Sequence, residues 1–419
     1  MTQRTYADSP TGPGPWTPRL VALLGIALVA LNLRIGVAAV SPISDIIRLD
    51  IPLTPRTEGL LAAAPPLIFA ATGLVADRLG RRYGLESMLV AAMAISATGE
   101  LLRATCGTTV AFLAWTIPIM AGAGLGNILC PAVVKKHFPD RIGLVTAVYT
   151  GCVTLSTALP PLVVARLAEA AGWRPALGVW ALLTAVAAIP WLWIVFHPDR
   201  RGLRWDAVRA RLQPNRRPDQ AVRLDVPLWR NPLAWSLMLV FAGNSLIAYT
   251  MFGWLPEILR TAGFGVDRAS WYLALMSLAS LPGSLLVPVL VARMKRLWLL
   301  PPIFLVGYVT GLLGLALAPA HATLGWIVLT RVGDCFFPYT ITLITLRART
   351  PGEASAVSGF VQSVGYLLAA AGPWLMGTLA VHAGGWRVPM LVLLIIPPIQ
   401  FAGAMIAART APARARLSP

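Results

Sequence analysis

Long apolar runs dominate this 419-residue sequence and leave few folds open to it. A helix needs about 20 mainly apolar residues to cross a membrane, and twelve runs reach that length. They lie near 19–42, 57–76, 85–105, 109–134, 141–166, 174–197, 231–256, 268–291, 297–319, 322–346, 353–381 and 386–408. Transmembrane barrels show short alternating strands instead. The runs therefore predict an all-α membrane protein of twelve transmembrane helices, which we number spans 1 to 12.

Basic residues are distributed unevenly between the two sets of loops. The formal net charge is +18, and most of the 35 Lys and Arg residues lie on the loops that share a side with the two termini. Cytoplasmic loops carry such an excess, so we expect both termini in the cytoplasm. The Arg-rich, Ala-, Gly- and Pro-heavy composition is typical of a bacterium with GC-rich DNA, so we expect the chain in a bacterial plasma membrane. Anionic lipid headgroups account for the basicity. Nucleic acid is not expected as a partner, and we expect a monomer.

Internal repetition predicts two six-helix halves. The stretches "AGWRPAL" (171–177) and "GNILCP" (126–131) match "GGWRVPM" (384–390) and "GDCFFP" (333–338) at almost the same interval, roughly half the chain. Duplicated halves of this kind are common in membrane carriers. The Arg- and Pro-rich loop 198–230 would join an N-terminal half, 1–197, to a C-terminal half, 231–419. Two halves that rock against each other would expose a central cavity to each side in turn.

Three charged residues lie clearly inside predicted spans: Arg34, Arg331 and Asp334. An ionised side chain near the bilayer centre costs roughly 2.5–3.5 kcal/mol, so it normally faces a partner or a watery cavity. Arg34 and Arg331 are expected at a similar depth, and two guanidinium groups converging on one cavity would bind an anion. Arg331 and Asp334 would otherwise form an ion pair along one helix. Asp334 is also a candidate for proton coupling, or for gating through a bridge to Arg34.

Uncharged polar residues in the spans are further candidates for contact with a substrate. Each of them would either bind the solute or join neighbouring helices by hydrogen bonds, which is the commoner use of polar residues in membranes. The candidate substrate-binding residues, besides Arg34 and Arg331, are Asn32, Asn127, Asn244, Tyr249 and Gln362.

Enzyme chemistry has little support in the sequence. The four cysteines are scattered singly without the paired spacing of metal sites, the four histidines form no cluster, and no Walker-type phosphate loop is present. We therefore expect no catalytic site, no metal and no cofactor. A carrier without ATP chemistry must use a solute or ion gradient, with protons as the candidate co-substrate.

The stretch "GLVADRLGRRYGL" (73–85) follows span 2 at its basic end. It resembles the signature loop of the major facilitator superfamily, at the same spacing. Gly73 would let another helix approach closely, and Asp77 would bond to a helix N-terminus. The resemblance implies the twelve-helix facilitator fold and a conformational latch on the cytoplasmic side. The latch residues it assigns here are Gly73, Asp77, Arg78, Gly80 and Arg81.

Three other stretches resemble the cyanate and nitroimidazole transporter family: "LNLRIGVAAVSPISDI" in span 1, "HFPDRIGLVTAVYTG" before span 5, and the "GWR" before span 6. This resemblance implies a secondary transporter of a small anionic or weakly acidic solute, cyanate-like or a small organic anion, coupled to protons or to exchange. The chain departs from many proton-coupled facilitators because no basic residue precedes Gly122 in span 4. An exporter of small neutral or drug-like compounds such as nitroimidazoles, and a membrane receptor or scaffold on a carrier fold, remain as alternatives.

Overall fold

The computed structural model describes residues 16–53, 55–197 and 227–409, and in those ranges the chain is helical throughout, without a strand. Eleven helices are long and apolar enough to cross a membrane, and the helix Pro55–Tyr83 occupies the place of span 2. The bounds of the spans are, in chain order, Trp16–Asn32 with Ile35–Ala38, Pro55–Tyr83, Leu85–Thr105, Thr109–His137, Ile142–Ala171, Trp173–Phe196, Pro232–Thr261, Val266–Ala279 with Leu281–Arg293, Leu300–Leu317, Thr323–Asp334 with Phe336–Arg347, Pro351–Ala383, and Arg387–Leu393 with Ile396–Arg409. The predicted all-α, twelve-span fold is confirmed.

Short elements connect some of these spans on either side of the membrane. They are the 3-10 turns Ser41–Ile43, Leu228–Arg230 and Leu297–Leu299 and the helix Ser44–Arg48. Most of the predicted linker, including the whole of 198–226, lies outside the described residues.

Spans 1, 8, 10 and 12 are each broken into two helical segments. Proline explains three of the breaks, because it has no N–H and its ring clashes with the carbonyl four residues earlier. Four residues before Pro338 is Asp334, where the first segment of span 10 ends. Pro397 has the same relation to Leu393 in span 12, and Pro282 follows the break in span 8. The break in span 10 lies inside the protein, where Cys335 is buried, and irregular backbone in a membrane is tolerated in such a position.

The break in span 1 has a different origin and places Arg34 at its centre. The side chain of Asn32 donates to the backbone oxygen of Leu28 at 2.7 Å, and such bonds compete with regular helix geometry. Arg34 then takes a non-helical conformation, with φ −120° and ψ −10°, before the helix resumes at Ile35. Discontinuous helices typically mark the substrate site of carriers.

Close contacts between the first six and the last six spans lie toward the basic, cytoplasmic end. A Cβ atom added at Gly73 of span 2 would lie 3.1 Å from the carbonyl oxygen of Gly359 in span 11. One added at Gly143 of span 5 would lie 2.8 Å from that of Pro288 in span 8. Thr150 of span 5 also donates to the carbonyl oxygen of Ser284, at 2.5 Å. Small residues permit this packing, so the bundle is closed on the cytoplasmic side.

On the outer side, one carboxylate ties the loop after span 1 to the start of span 6. Asp50 accepts hydrogen bonds from the indole Nε1 of Trp173 at 2.9 Å and from Arg174. The bond from Trp173, followed by that from Arg174, holds the pKa of Asp50 below its ordinary value of 3.8. The "GWR" stretch before span 6 thus has a structural use, which we call the outer clamp.

Candidate functional site

Arg34 lies at the midpoint of the bundle among aromatic side chains from both halves. Its guanidinium donates to the hydroxyl of Tyr249 at 2.6 Å and to that of Tyr366 at 3.3 Å. The guanidinium carbon lies 5.5 Å from the ring centre of Phe69 and 5.8 Å from that of Tyr249, within range of cation–π attraction. Arg34 is half-buried in this position.

A hydrogen-bond network extends from Tyr366 into spans 4, 5 and 11. The amide of Asn127 donates to Tyr366 at 3.0 Å and to Gln362 at 2.7 Å. The hydroxyl of Tyr149 donates to the side-chain oxygen of Asn127 at 2.7 Å. Four predicted substrate residues therefore belong to one network with Tyr149 and Tyr366. We call this set the central cluster: Arg34, Asn127, Tyr149, Tyr249, Gln362 and Tyr366.

The central cluster has donors left over and lacks a balancing negative charge. Tyr249 and Tyr366 both accept from Arg34, and within the described ranges neither hydroxyl donates its own proton to a protein acceptor. No carboxylate in those ranges lies within ion-pair distance of Arg34, and the groups that act on its charge are the two tyrosines. A site with a free positive charge and two free O–H groups is chemically suited to an anion.

Arg331 and Asp334 lie in a second cluster, built by spans 7 to 10. Their side chains form an ion pair at 3.3 Å along one helix, and Arg331 is only 3% exposed. Asp334 also accepts from Asn244 at 3.0 Å and from Ser280 at 3.3 Å. Tyr308 donates to Asn244 at 2.8 Å. Asp334 is thus surrounded by hydrogen-bond donors from spans 7, 8 and 10.

The two arginines that were predicted to converge on one cavity therefore belong to different clusters. Arg331 and Arg34 share no hydrogen-bond partner in the described part of the chain, and Asp334 pairs with Arg331 and not with Arg34. Asn244 belongs to the second cluster as well. Sequence reasoning did not select two polar residues of the second cluster, Ser280 and Tyr308. Single hydroxyl groups are common in membrane spans, so these two residues did not stand out as candidates for a site.

A third cluster corrects the expectation that only three charged residues lie clearly inside spans. Glu100 and Arg103 of span 3 are 1% and 2% exposed. The hydroxyl of Thr184 lies 2.7 Å from Glu100 and 2.7 Å from Asn32, the remaining predicted substrate residue. Arg103 donates to the backbone oxygen of Gly36 at 2.9 Å. Both residues lie near the outer end of the predicted span 85–105.

The predicted latch residues lie together at the cytoplasmic end of span 2. Asp77 forms an ion pair with Arg81 on the same helix. Gly80 is buried, and an added Cβ would lie 3.2 Å from Leu129 of span 4. Arg78 is exposed. Gly73 makes the close approach to span 11 that was expected of this stretch, and Asp77 interacts with Ser355 near the N-terminus of span 11.

Known proteins resemble the chain over most of its length. The chain is 33% identical over 380 residues to the 2-nitroimidazole transporter of Escherichia coli K12, covering 90% of this chain and 93% of the relative. It is 32% identical over 377 residues to the transporter YycB of Bacillus subtilis 168, covering 89% of each.

Solved structures show the same fold at lower sequence similarity. The proton:xylose symporter XylE matches with a TM-score of 0.71 at 16% identity, covering 93% of this chain and 95% of XylE. The model of the Major Facilitator Superfamily matches residues 22–373. The signature loop, the twelve spans and these matches agree, and facilitators are carriers and not enzymes. The chain is a multi-pass membrane transporter that belongs to the Major Facilitator Superfamily.

Proposed function

We propose that the protein moves small organic anions or weak acids across a bacterial plasma membrane by alternating access. The observation that carries this proposal is the charge of Arg34. Among the arginines buried in the described spans, Arg331 has an ion pair with Asp334 and Arg103 donates to the backbone oxygen of Gly36, outside the central cluster. Arg34 lies in the central cluster with two neutral tyrosines as its partners. An unbalanced charge at this depth costs roughly 2.5–3.5 kcal/mol, which a bound anion would offset.

Aromatic side chains around Arg34 suit a flat, conjugated solute. Phe69 and Tyr366 pack edge to face at 5.3 Å between ring centres, and Tyr249 and Tyr366 at 6.2 Å. Such rings stack on planar groups, and the tyrosine hydroxyls can fix the orientation of the solute through hydrogen bonds. The relatives' names mention a nitroimidazole and, for the protein CynX of Escherichia coli K12 at 24% identity, cyanate. Both solutes are small and conjugated, with electron-rich oxygen or nitrogen atoms.

We propose supporting roles for the other selected residues. Asn127 and Gln362, which carry the two amide side chains of the central cluster, would orient the solute. Asp334 would act in gating, since its bonds join spans 7, 8 and 10. Gly73, Asp77, Arg78, Gly80 and Arg81 would form the cytoplasmic latch, and Arg331, Asn32 and Asn244 would position helices.

Benzoate and benzamide form a matched pair of probes, because they share a ring and differ in charge. Purified protein is screened by thermal shift against both, together with cyanate and 2-nitroimidazole. We expect benzoate and cyanate to raise the melting temperature and benzamide to do so much less. Arg34→Gln should abolish the effect of the anions, while Arg331→Gln, if it folds, should keep it. Equal stabilisation of Arg34→Gln by the anions would contradict the proposal.

An exporter of neutral compounds is the second candidate, favoured by the aromatic lining and by the nitroimidazole relative. It predicts that 2-nitroimidazole stabilises the protein and that Arg34→Gln leaves this stabilisation unchanged. The same screen therefore separates the two candidates.

A further inference from the structure

We infer that Glu100 is a proton-binding site of the carrier, in its protonated form in this structure, and that it controls the helix break that carries Arg34. The inference begins with the hydroxyl of Thr184, which has one proton and two close oxygen neighbours. Glu100 Oε2 and Asn32 Oδ1 each lie 2.7 Å from it. Both distances are those of true hydrogen bonds.

The orientation of Asn32 is determined by its other contact. The backbone oxygen of Leu28 only accepts hydrogen bonds, and it lies 2.7 Å from the Asn32 amide. The NH2 group must therefore face Leu28, which leaves the amide oxygen facing Thr184. Since that oxygen cannot donate, the single proton of Thr184 is directed to Asn32.

Glu100 must then supply the proton of its own bond to Thr184. An ionised carboxylate at 2.7 Å would present lone pairs to an oxygen whose proton points elsewhere, which is repulsive. With a protonated carboxyl group, every hydrogen bond in the series from Glu100 through Thr184 and Asn32 to Leu28 has one donor and one acceptor. Glu100 is 1% exposed, so water is not available to supply a proton to this bond.

The surroundings of Glu100 present a single charge. Spans 4 and 6 pack closely against span 3. Span 6 contributes Thr184, span 1 contributes Asn32, and from span 4 Ile119 and Pro118 pack on the neighbouring Gly99. Arg103, one turn along span 3, is the charged group that acts on Glu100 in the described part of the chain. It donates to Gly36 and is not within ion-pair distance of the carboxyl.

Glu100 and Arg103 thereby contact both sides of the break in span 1. Asn32 precedes Arg34 by two residues, and Gly36 follows it by two. Loss of the proton from Glu100 to the water on one side of the membrane would leave a carboxylate. That carboxylate draws the proton of Thr184 to itself, which breaks the bond from Thr184 to Asn32, and it attracts Arg103 away from Gly36. Uptake of a proton from the other side restores both bonds, so proton binding is linked to the position of Arg34.

Infrared spectroscopy tests this site without any substrate, so its outcome is independent of the proposed function. Purified protein in lipid is titrated with pH while the carbonyl stretch of a protonated, buried carboxyl group is followed. We expect this band at neutral pH in the wild type, its loss on alkalinisation, and its absence from Glu100→Gln. Glu86→Gln is the matched control on the same span, because Glu86 pairs with Lys136 at 2.7 Å and should be ionised. A band that persists in Glu100→Gln, or disappears instead in Asp334→Asn, overturns the inference.

Coupling to transport, which does rest on the proposed function, has its own test. Proteoliposomes loaded with benzoate are assayed for exchange and for accumulation driven by a pH gradient. Glu100→Gln imitates the protonated acid, so benzoate exchange should continue. A pH gradient should no longer drive benzoate accumulation beyond the amount that exchange alone gives. Glu100→Ala should lose both. If the pH gradient drives benzoate accumulation in Glu100→Gln as strongly as in the wild type, Glu100 has only a structural role.

Discussion

Arg34 and Arg331 are the same residue type and were predicted at a similar depth, yet the structure gives them different surroundings. Pro338 ends the helix at Asp334, and that carboxylate neutralises Arg331 at 3.3 Å. Arg34 lies at a break that brings it between the two halves, where tyrosines are its partners. The charge of an arginine with a carboxylate on its own helix is balanced internally, whereas the charge of one among hydroxyls is open to an anionic ligand.

The ion pair of Arg331 with Asp334 should contribute mainly to stability. Asp334→Ala leaves a buried guanidinium without its counter-charge, and breaking a buried pair in this way typically costs ~3–5 kcal/mol. We expect a clear fall in melting temperature. The double variant Arg331→Met with Asp334→Ala should recover most of the loss, because no buried charge remains. If the single variant melts like wild type, the pair is not structural.

The outer clamp should weaken at low pH. Because the folded-state pKa of Asp50 is depressed below 3.8, its contribution to stability is present above that value and is lost as the pH falls through the depressed folded pKa. We expect Asp50→Asn to melt below wild type at neutral pH, with the difference vanishing in strong acid. A difference that grows on acidification would contradict the assignment.

Individual polar residues could be selected from the sequence, but their partners could not. Isolated polar side chains in apolar runs pointed to Asn127, Tyr249 and Gln362, which the structure joins to Arg34 through one network. Asn32 and Asn244 looked equivalent to these, yet each bonds within its own half of the bundle. The rotation of each helix about its axis decides this, and helices that are apolar all round carry little signal of that rotation.

At the scale of the helices, apolar length alone predicted all twelve spans close to their observed bounds. The breaks inside spans 1, 8, 10 and 12 were not predicted, because gaps of one or two residues hardly change the hydropathy of a span. Proline positions gave a usable signal for three of them, since the helix ends four residues before Pro338 and Pro397. The break at Arg34 depends on side-chain bonds that only the folded chain displays.

Close approach of spans 2 and 11 should be needed for the cytoplasmic side to close. Gly73→Ala places a Cβ against Ser363 and the backbone of Gly359, so we expect the two helices to separate and transport to slow. Gly253→Ala on span 7 is the control, because nothing lies within 4 Å of the added atom. Spin labels at the cytoplasmic ends of spans 2 and 11 report the distance. An unchanged distance in Gly73→Ala would exclude the close approach as a determinant of closure.

For the whole molecule, the internal repeats and the signature loop were enough to indicate a facilitator. The conformation in which the chain settles was not predictable, since a carrier's sequence must support opening to both sides. In this structure the contacts between halves lie toward the cytoplasm, and Arg34 keeps accessible surface behind them. The arrangement is that of a carrier closed toward the cytoplasm.

Saturable benzoate flux into proteoliposomes, compared between wild type and Arg34→Gln, tests the central claim most directly. Loss of a charged hydrogen-bond partner typically costs about 1.5–3 kcal/mol, or roughly a tenfold to hundredfold weaker interaction. We predict saturable flux in the wild type and a decrease of that size in Arg34→Gln, with benzamide flux low in both. Benzoate flux that is undiminished in a folded Arg34→Gln would contradict anion recognition by the central cluster.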